Sequence, residues 1–381
     1  MQNRYLSLDA FRGFTVALMI LVNNPGSYSS IFWPLDHAKW DGCTLTDLVF
    51  PFFLFAVGNA AAFVLPKQKG TDAVSYLNKI FKRSIFIFLV GLFLNWFPFF
   101  KWESDTLIFK IWENVRILGV LQRIAICYLI SALIIYFFNE KRLFYIGAFL
   151  LILYWFLCFY LGGSLPYSME GFVGTRFDSM ILGQSHMYMG EGTPFEPEGL
   201  FSSIGAISQV IIGYLVGLLI INKGRSYEML SDLFFVGVVL VIIGLTWNLS
   251  FPVNKKIWSS SYTILTSGMA ILILASFIYI IEFKALKKIW VTFLEPFGKN
   301  PLFIFVLSGV IPRLLGLIRI HAMDENGKTV FISPLKWLYE NAFKNLFVDL
   351  RVGSLLYAVF FITVFWVIAY CLDKKKIYIK L

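Results

Sequence analysis

The sequence predicts an all-α, polytopic integral membrane protein of about ten transmembrane helices, folded as one domain over residues 1–381. Three observations carry that expectation. The chain is 58% hydrophobic and only 15% charged, where soluble domains carry charge on roughly a quarter of positions. Apolar runs of about twenty residues recur along its whole length, each long enough to cross a hydrocarbon layer ~30 Å thick as a helix. The runs are continuous and do not alternate in the ~10-residue segments of a barrel strand, so the spans read as helices.

In chain order the expected spans cover residues 10–32, 46–65, 80–100, 117–137, 143–162, 199–221, 231–251, 260–281, 295–318 and 352–372. The first run, from Phe14, has no small-residue cleavage site and leads into more membrane, so it reads as a retained helix and not as a signal peptide. The stretch PLKWLYENAFKNLFVD before the last span is amphipathic and is expected to lie along the interface. Lys and Arg set the orientation, because cytoplasmic loops carry them in excess. With the N-terminus inside, the inner segments hold Arg4 and Arg12, then Lys67, Lys69, Lys79, Lys82 and Arg83. Further along they hold Lys141, Arg142, Lys223, Arg225, Lys284, Lys287, Lys288, Lys374, Lys375, Lys376 and Lys380. The long loop 163–198 has Arg176 as its only basic residue and belongs outside. The last outer stretch, with Arg319, Lys328, Lys336, Lys344 and Arg351, is the weakest part of the assignment. Both termini are therefore expected in the cytoplasm, and His37, His186 and His321 on the far side. The net charge of +10 is explained by basic loops facing a cytoplasmic leaflet and calls for no nucleic-acid partner.

Few residue groups in so apolar a chain can do chemistry. Asp9 and Arg12 stand one helical turn apart at the start of the first span, where an i,i+3 pair partly neutralises itself. The first span ends in Val22-Asn23-Asn24-Pro25-Gly26, two amides before a helix breaker. The following loop reads Asp36-His37-Ala38-Lys39-Trp40-Asp41-Gly42, and Thr44 with Asp47 resembles a capping box opening the second span. His37 can exchange a proton near neutral pH or accept an acyl group, with Asp36, Asp41, Asn23 and Asn24 available to orient it. Alternatively it is a solvated loop residue. Gln122 and Arg123 lie within the fourth span. A cation there costs roughly 3 kcal/mol even on lenient scales, so Arg123 should face the bundle interior and meet a carboxylate or a bound phosphate. Lys299 sits in Phe297-Gly298-Lys299-Asn300-Pro301, a helix break of the kind tolerated where backbone lines a cavity. Glu198, and the run Asn254 to Tyr262 with Lys255 and Ser261, add polar groups on the outer side. Three histidines and four cysteines without HxxxH or CxxC spacing suggest neither a metal site nor a disulfide framework.

The run from Arg4 to Gly58, with SLDAFRG, VNN, HAKWDG and TDLVFPFFLFAVG, resembles the start of the heparan-α-glucosaminide N-acetyltransferase family. RILGVLQR (116–123), EPEGL (196–200) and NKKIWSSSY (254–262) extend the resemblance over most of the chain. It implies a transmembrane acyltransferase-like fold that uses acetyl-CoA as donor and acetylates the amine of a glucosamine-type sugar across the membrane, without a metal. It places the family's active histidine on His37 and its active-site asparagine on Asn23. With that reading, Arg123, Lys299, Arg12 and Gln122 are expected to hold acetyl-CoA. Asp41, Asn24, Trp40, Glu198, Lys255 and Ser261 are expected around the amino sugar. Two mechanisms stay open: His37 deprotonates the amine in a ternary complex, or it carries the acetyl group itself. The implied setting is a bacterial inner membrane, and family analogy suggests a homodimer. The rival readings are an amino-sugar permease and a membrane scaffold without chemistry.

Overall fold

Eight helices are long and apolar enough to cross a membrane, in a computed structural model that describes residues 5–68, 72–286, 289–323 and 329–379. The cations Arg4, Lys69, Lys287, Lys288, Lys328 and Lys380 lie outside the described residues. The eight are α1 (Leu6–Asn23), α2 (Val49–Gln68), α4 (Val120–Phe137), α5 (Glu140–Leu161), α7 (Ser203–Lys223), α8 (Tyr227–Trp247), α9 (Ser260–Ile278) and α13 (Leu350–Lys374). The chain is an all-α polytopic membrane protein, as composition and run length require.

The two remaining expected spans take other forms. Helix α3 (Ala73–Trp96) is 24 residues long but carries Lys79, Lys82 and Arg83 in its first half. The span expected at 295–318 is broken into α10 (Ile289–Lys299) and α11 (Pro301–Leu315). Pro301 supplies no N–H and disfavours helix at the residue before it, so Asn300 leaves the helix at φ −129°. At 1.5 Å per residue neither piece alone reaches ~30 Å. The first span likewise stops at Asn23 and not at 32, because Asn24-Pro25-Gly26 ends it. The amphipathic stretch before α13 folds as α12 (Pro334–Leu338) and a π-turn over Tyr339–Phe343, too short to span. A ten-residue helix α6 (Val173–Leu182) and two hairpins complete the fold, β1 (Phe100–Glu103) with β2 (Thr106–Phe109) and β3 (Ile320–Met323) with β4 (Thr329–Ile332).

Burial separates an inner from an outer ring. Helices α1 and α7 bury 72% of their most apolar window, whereas α5, α8 and α13 bury 28% and turn Phe149, Phe156, Phe235 and Ile242 outward, as lipid contact demands. Lipid is as apolar as leucine, so helices in a membrane associate by close packing of small residues. The sequence supplies them at the main crossings. A Cβ on Gly58 of α2 would overlap the Val210 carbonyl of α7, and one on Gly213 would overlap that of Phe55. Gly13 and Gly298 bring α1 and α10 together in the same way.

The connections sort into two ends. Ser7 bonds to Glu282, Arg225 pairs with Glu282, and Lys299 pairs with Asp373, which gathers the start of α1, the α7–α8 and α9–α10 turns and the end of α13 at one end. At the other end the loops 24–48, 97–119, 162–202 and 248–259 interlock through Gly42 N to Val253 O (2.7 Å), Trp40 Nε1 to Tyr167 O (2.9 Å) and Ile117 N to His186 O (3.1 Å).

Candidate active site

The interlocked end holds a histidine–carboxylate pair. His37 lies in the α1–α2 loop, with its backbone N–H fixed by Asp36 Oδ1 at 2.8 Å. Its Nδ1 is 2.6 Å from Oδ1 of Asp47, ten residues on, at the foot of α2. Asp47 is buried while the His37 side chain is half exposed. The carboxylate divides its work. Oδ2 accepts the N–H groups of Ala38 (3.0 Å) and Thr44 (3.1 Å) and the Thr44 hydroxyl (3.1 Å), while Oδ1 faces the imidazole. Half of the capping arrangement read from Thr44 and Asp47 is therefore present, the Asp47 side chain accepting Thr44 N–H, and it uses only one oxygen. Asp47 is the partner of His37 that reading missed. A neutral ring that donates Nδ1–H to this carboxylate keeps Nε2 as its lone-pair nitrogen, the state a general base needs.

A third group meets this pair. Lys255 Nζ lies 3.1 Å from His37 Nδ1 and 3.4 Å from Asp47 Oδ1. Burial pulls its ammonium below the ordinary lysine range, against the opposing attraction of Asp47 and Glu198. The loop that carries it is tied down by buried Asn254, whose Nδ2 donates to Asp41 Oδ1 (3.2 Å) and whose Oδ1 accepts Ile257 N–H (3.1 Å). Ser259 then caps α9, and Tyr262 O–H reaches back to the Asp47 carbonyl at 2.5 Å. Beside the dyad, Arg116 pairs with both Glu196 and Glu198. Burial works to raise the Glu198 carboxyl, but Arg116, Arg123 and Lys255 together hold it below its usual range.

Against this geometry stand the known relatives. Residues 4–180 match the family profile of heparan-alpha-glucosaminide N-acetyltransferase, catalytic. The mouse heparan-alpha-glucosaminide N-acetyltransferase is 25% identical over 439 aligned residues, covering 100% of this chain and 61% of the relative. The human protein of that name is 28% identical over 361, covering 80% and 52%. This chain thus spans between about half and three-fifths of the length of these relatives. The resemblance carried by SLDAFRG, VNN, HAKWDG and TDLVFPFFLFAVG is borne out.

The structure gathers some of the expected site residues and separates others. His37, Asp41, Lys255 and Glu198 share one end with Trp40, whose ring packs edge-on against Phe195. Asn23 closes α1 with an exposed side chain, and among the described residues no hydrogen bond joins it to His37. Asn24 bonds back to the Ile20 carbonyl (2.9 Å) and ends the helix. Ser261 is fully buried with its hydroxyl 3.0 Å from Ser259 Oγ. The expected donor-binding set is split. Arg12 pairs with Asp9, and Lys299 with Glu295 and Asp373, at the end away from His37. Arg123 lies at the His37 end, fully buried against Gly199 and Trp258, so it cannot share a phosphate with those two. Gln122 is spent locally, its amide donating to the Ile117 carbonyl at 2.9 Å. The other histidines lie in other contacts: His186 Nδ1 is 2.7 Å from the Val115 carbonyl, and His321 packs on Phe331 within a hairpin.

Proposed function

We propose that the chain is a transmembrane N-acetyltransferase that moves an acetyl group from acetyl-CoA to the amine of a glucosamine-type sugar. The observation that supports this best is the His37–Asp47 pair at 2.6 Å, half exposed at the interlocked end. In this reading His37 Nε2 takes the proton from the acceptor amine as the nitrogen attacks the acetyl carbonyl. Asp47 holds the ring and offsets the charge it gains. As the carbon–sulfur bond breaks, the imidazolium returns that proton to the departing sulfur. Asn23, at the exposed end of α1, is the proposed donor to the carbonyl oxygen. A ternary complex suits a ring whose Nδ1–H is fixed by a carboxylate, because the carboxylate strengthens the base and stabilises the imidazolium.

The proposal extends to topology. The end with Arg225, Lys284 and Lys374 to Lys376 faces the cytoplasm of a bacterial inner membrane, and the dyad faces outward. Acetyl-CoA then approaches from the inside and the sugar amine from the outside. Purified protein is expected to transfer radiolabelled acetyl groups from acetyl-CoA to glucosamine. A folded His37→Ala protein should lose at least about 10²-fold in rate, the ordinary worth of a general base. Transfer by the His37→Ala protein at the wild-type rate would remove His37 from the chemistry. Transfer by neither protein, with glucosamine crossing proteoliposomes, would favour transport.

A further inference from the structure

Beside the dyad, three buried donor nitrogens have no acceptor among the described residues. Arg123 Nη2 donates to the Gly199 carbonyl (2.9 Å) and to the Ser202 hydroxyl, but Nε and Nη1 are buried without a partner. The guanidinium stands over the Trp258 ring, 5.0 Å from its centre, and the indole Nε1 is also buried and unpartnered. Trp258 is 1% exposed and holds a left-handed backbone at φ 51°, a conformation that costs a bulky residue free energy. Buried donors without acceptors are costly and rare in folded proteins. A strained tryptophan under a buried arginine, both with donors left over, points to an acceptor that comes from outside the chain.

The chemistry of these groups narrows the choice. All three donate, so a sugar hydroxyl, which must also donate, fits less well than a carbonyl. Among the described residues no carboxylate forms an ion pair with Arg123, and Glu198, whose charge reaches it, is bonded to Arg116. The cluster holds three cations (Arg116, Arg123, Lys255) against four carboxylates (Glu196, Glu198, Asp47 and Asp178, whose charge also reaches Arg123), so a phosphate would add uncompensated charge. The location is informative as well, since Trp258 follows Lys255 by three residues in the loop that meets His37.

We propose that Arg123 and Trp258 form a donor pocket for an uncharged carbonyl oxygen on the amide-bearing arm of the acyl donor. The pocket positions that arm so that the acetyl group arrives at His37. The inference rests on the transferase reading. It assigns Arg123 to the donor's neutral arm and not to its phosphates.

The test uses full-length protein in detergent and measures binding of radiolabelled acetyl-CoA and of glucosamine separately. Trp258→Phe keeps the ring over Arg123 and deletes only the N–H. The expected result is about tenfold weaker acetyl-CoA binding, with glucosamine affinity and melting midpoint at wild-type values. Unchanged acetyl-CoA affinity would overturn the proposal and leave the N–H groups to trapped water. Weakening of glucosamine binding alone would overturn it in favour of a hydroxyl site. Should Trp258→Phe not fold, Arg123→Lys keeps the charge and deletes the fork, and the same outcomes decide. Wild-type protein that binds neither ligand would defeat the transferase reading, a result distinct from failure of this pocket.

Discussion

Replacing Asp47 by asparagine separates its two duties. The side chain keeps its shape but has one acceptor oxygen where the carboxylate had two. Oδ2 now serves three donors, Ala38 N–H, Thr44 N–H and the Thr44 hydroxyl, between 3.0 and 3.1 Å. Oδ1 serves His37 at 2.6 Å, with Lys255 at 3.4 Å. In the Asp47→Asn protein the single amide oxygen should therefore take the three-donor side and leave the amide NH₂ turned toward His37. The ring then accepts at Nδ1 and carries its proton on Nε2, the wrong tautomer for a base. The loss should approach the full worth of a general base, about 10²–10⁴-fold in kcat. The cap survives, so the cost in stability is only that of trading charge-assisted for neutral hydrogen bonds, about 1 kcal/mol for each of the few involved. Steady-state acetyl transfer to glucosamine, with thermal unfolding in detergent run alongside, reads both quantities. A folded Asp47→Asn protein with kcat within about threefold of wild type would refute the tautomer argument, since a working base differs by far more.

Three further outcomes follow from contacts described above. Lys255→Met removes the ammonium beside Asp47 Oδ1 and should lower kcat about tenfold, the value of one charge-assisted hydrogen bond; an unaltered pH–rate profile and rate would count against its place in the site. Asp178 accepts the N–H groups of Leu200 (2.8 Å) and Phe201 (3.3 Å), and burial pushes its carboxyl up to about 6. A carboxyl raised in the folded state contributes stability that is complete below about pH 4 and is lost as pH rises through about 6. Wild type should then lose up to about 3 kcal/mol relative to Asp178→Asn across that window; melting curves of the two proteins that run parallel from pH 4 to 7 would contradict it. Gly58→Ala drives a methyl into the Val210 carbonyl and should destabilise the protein by about 1–3 kcal/mol, seen as a lower melting midpoint; an unchanged midpoint would show that α2 and α7 can separate at little cost.

What could be read from the chain depended on how local the signal was. Hydropathy and run length act residue by residue, so the helical membrane fold and most of its spans were legible. The Thr44–Asp47 cap was legible for the same reason, being a contact across three residues. The contact of Asp47 with His37 was not, because it forms only when the loop folds back over ten residues and Lys255 closes it from a turn more than two hundred residues away. Arg123 shows the opposite limit. Its position inside a span correctly required burial, but the partner that satisfies Nη2 is the Gly199 carbonyl, which no charge pattern announces. The break at Asn300 was visible as Gly-Lys-Asn-Pro, but a twenty-residue hydropathy window passed over it and joined two short helices into one span.

The elbow between α10 and α11 links the order of synthesis to the finished structure. Asn300, left outside both helices, donates its amide N–H to the Ile377 carbonyl (3.0 Å) and accepts Ile379 N–H (2.8 Å), while Lys299 is held by Asp373 at 2.8 Å. The groups that complete the break thus emerge from the ribosome more than seventy residues after it. Without the end of α13, Lys299 keeps only Glu295 of its own helix, and the Asn300 amide lacks both of these backbone partners. The elbow is thus completed by the end of the last span, so shortening the chain after α13 should loosen the α10–α11 break before it disturbs the rest of the bundle.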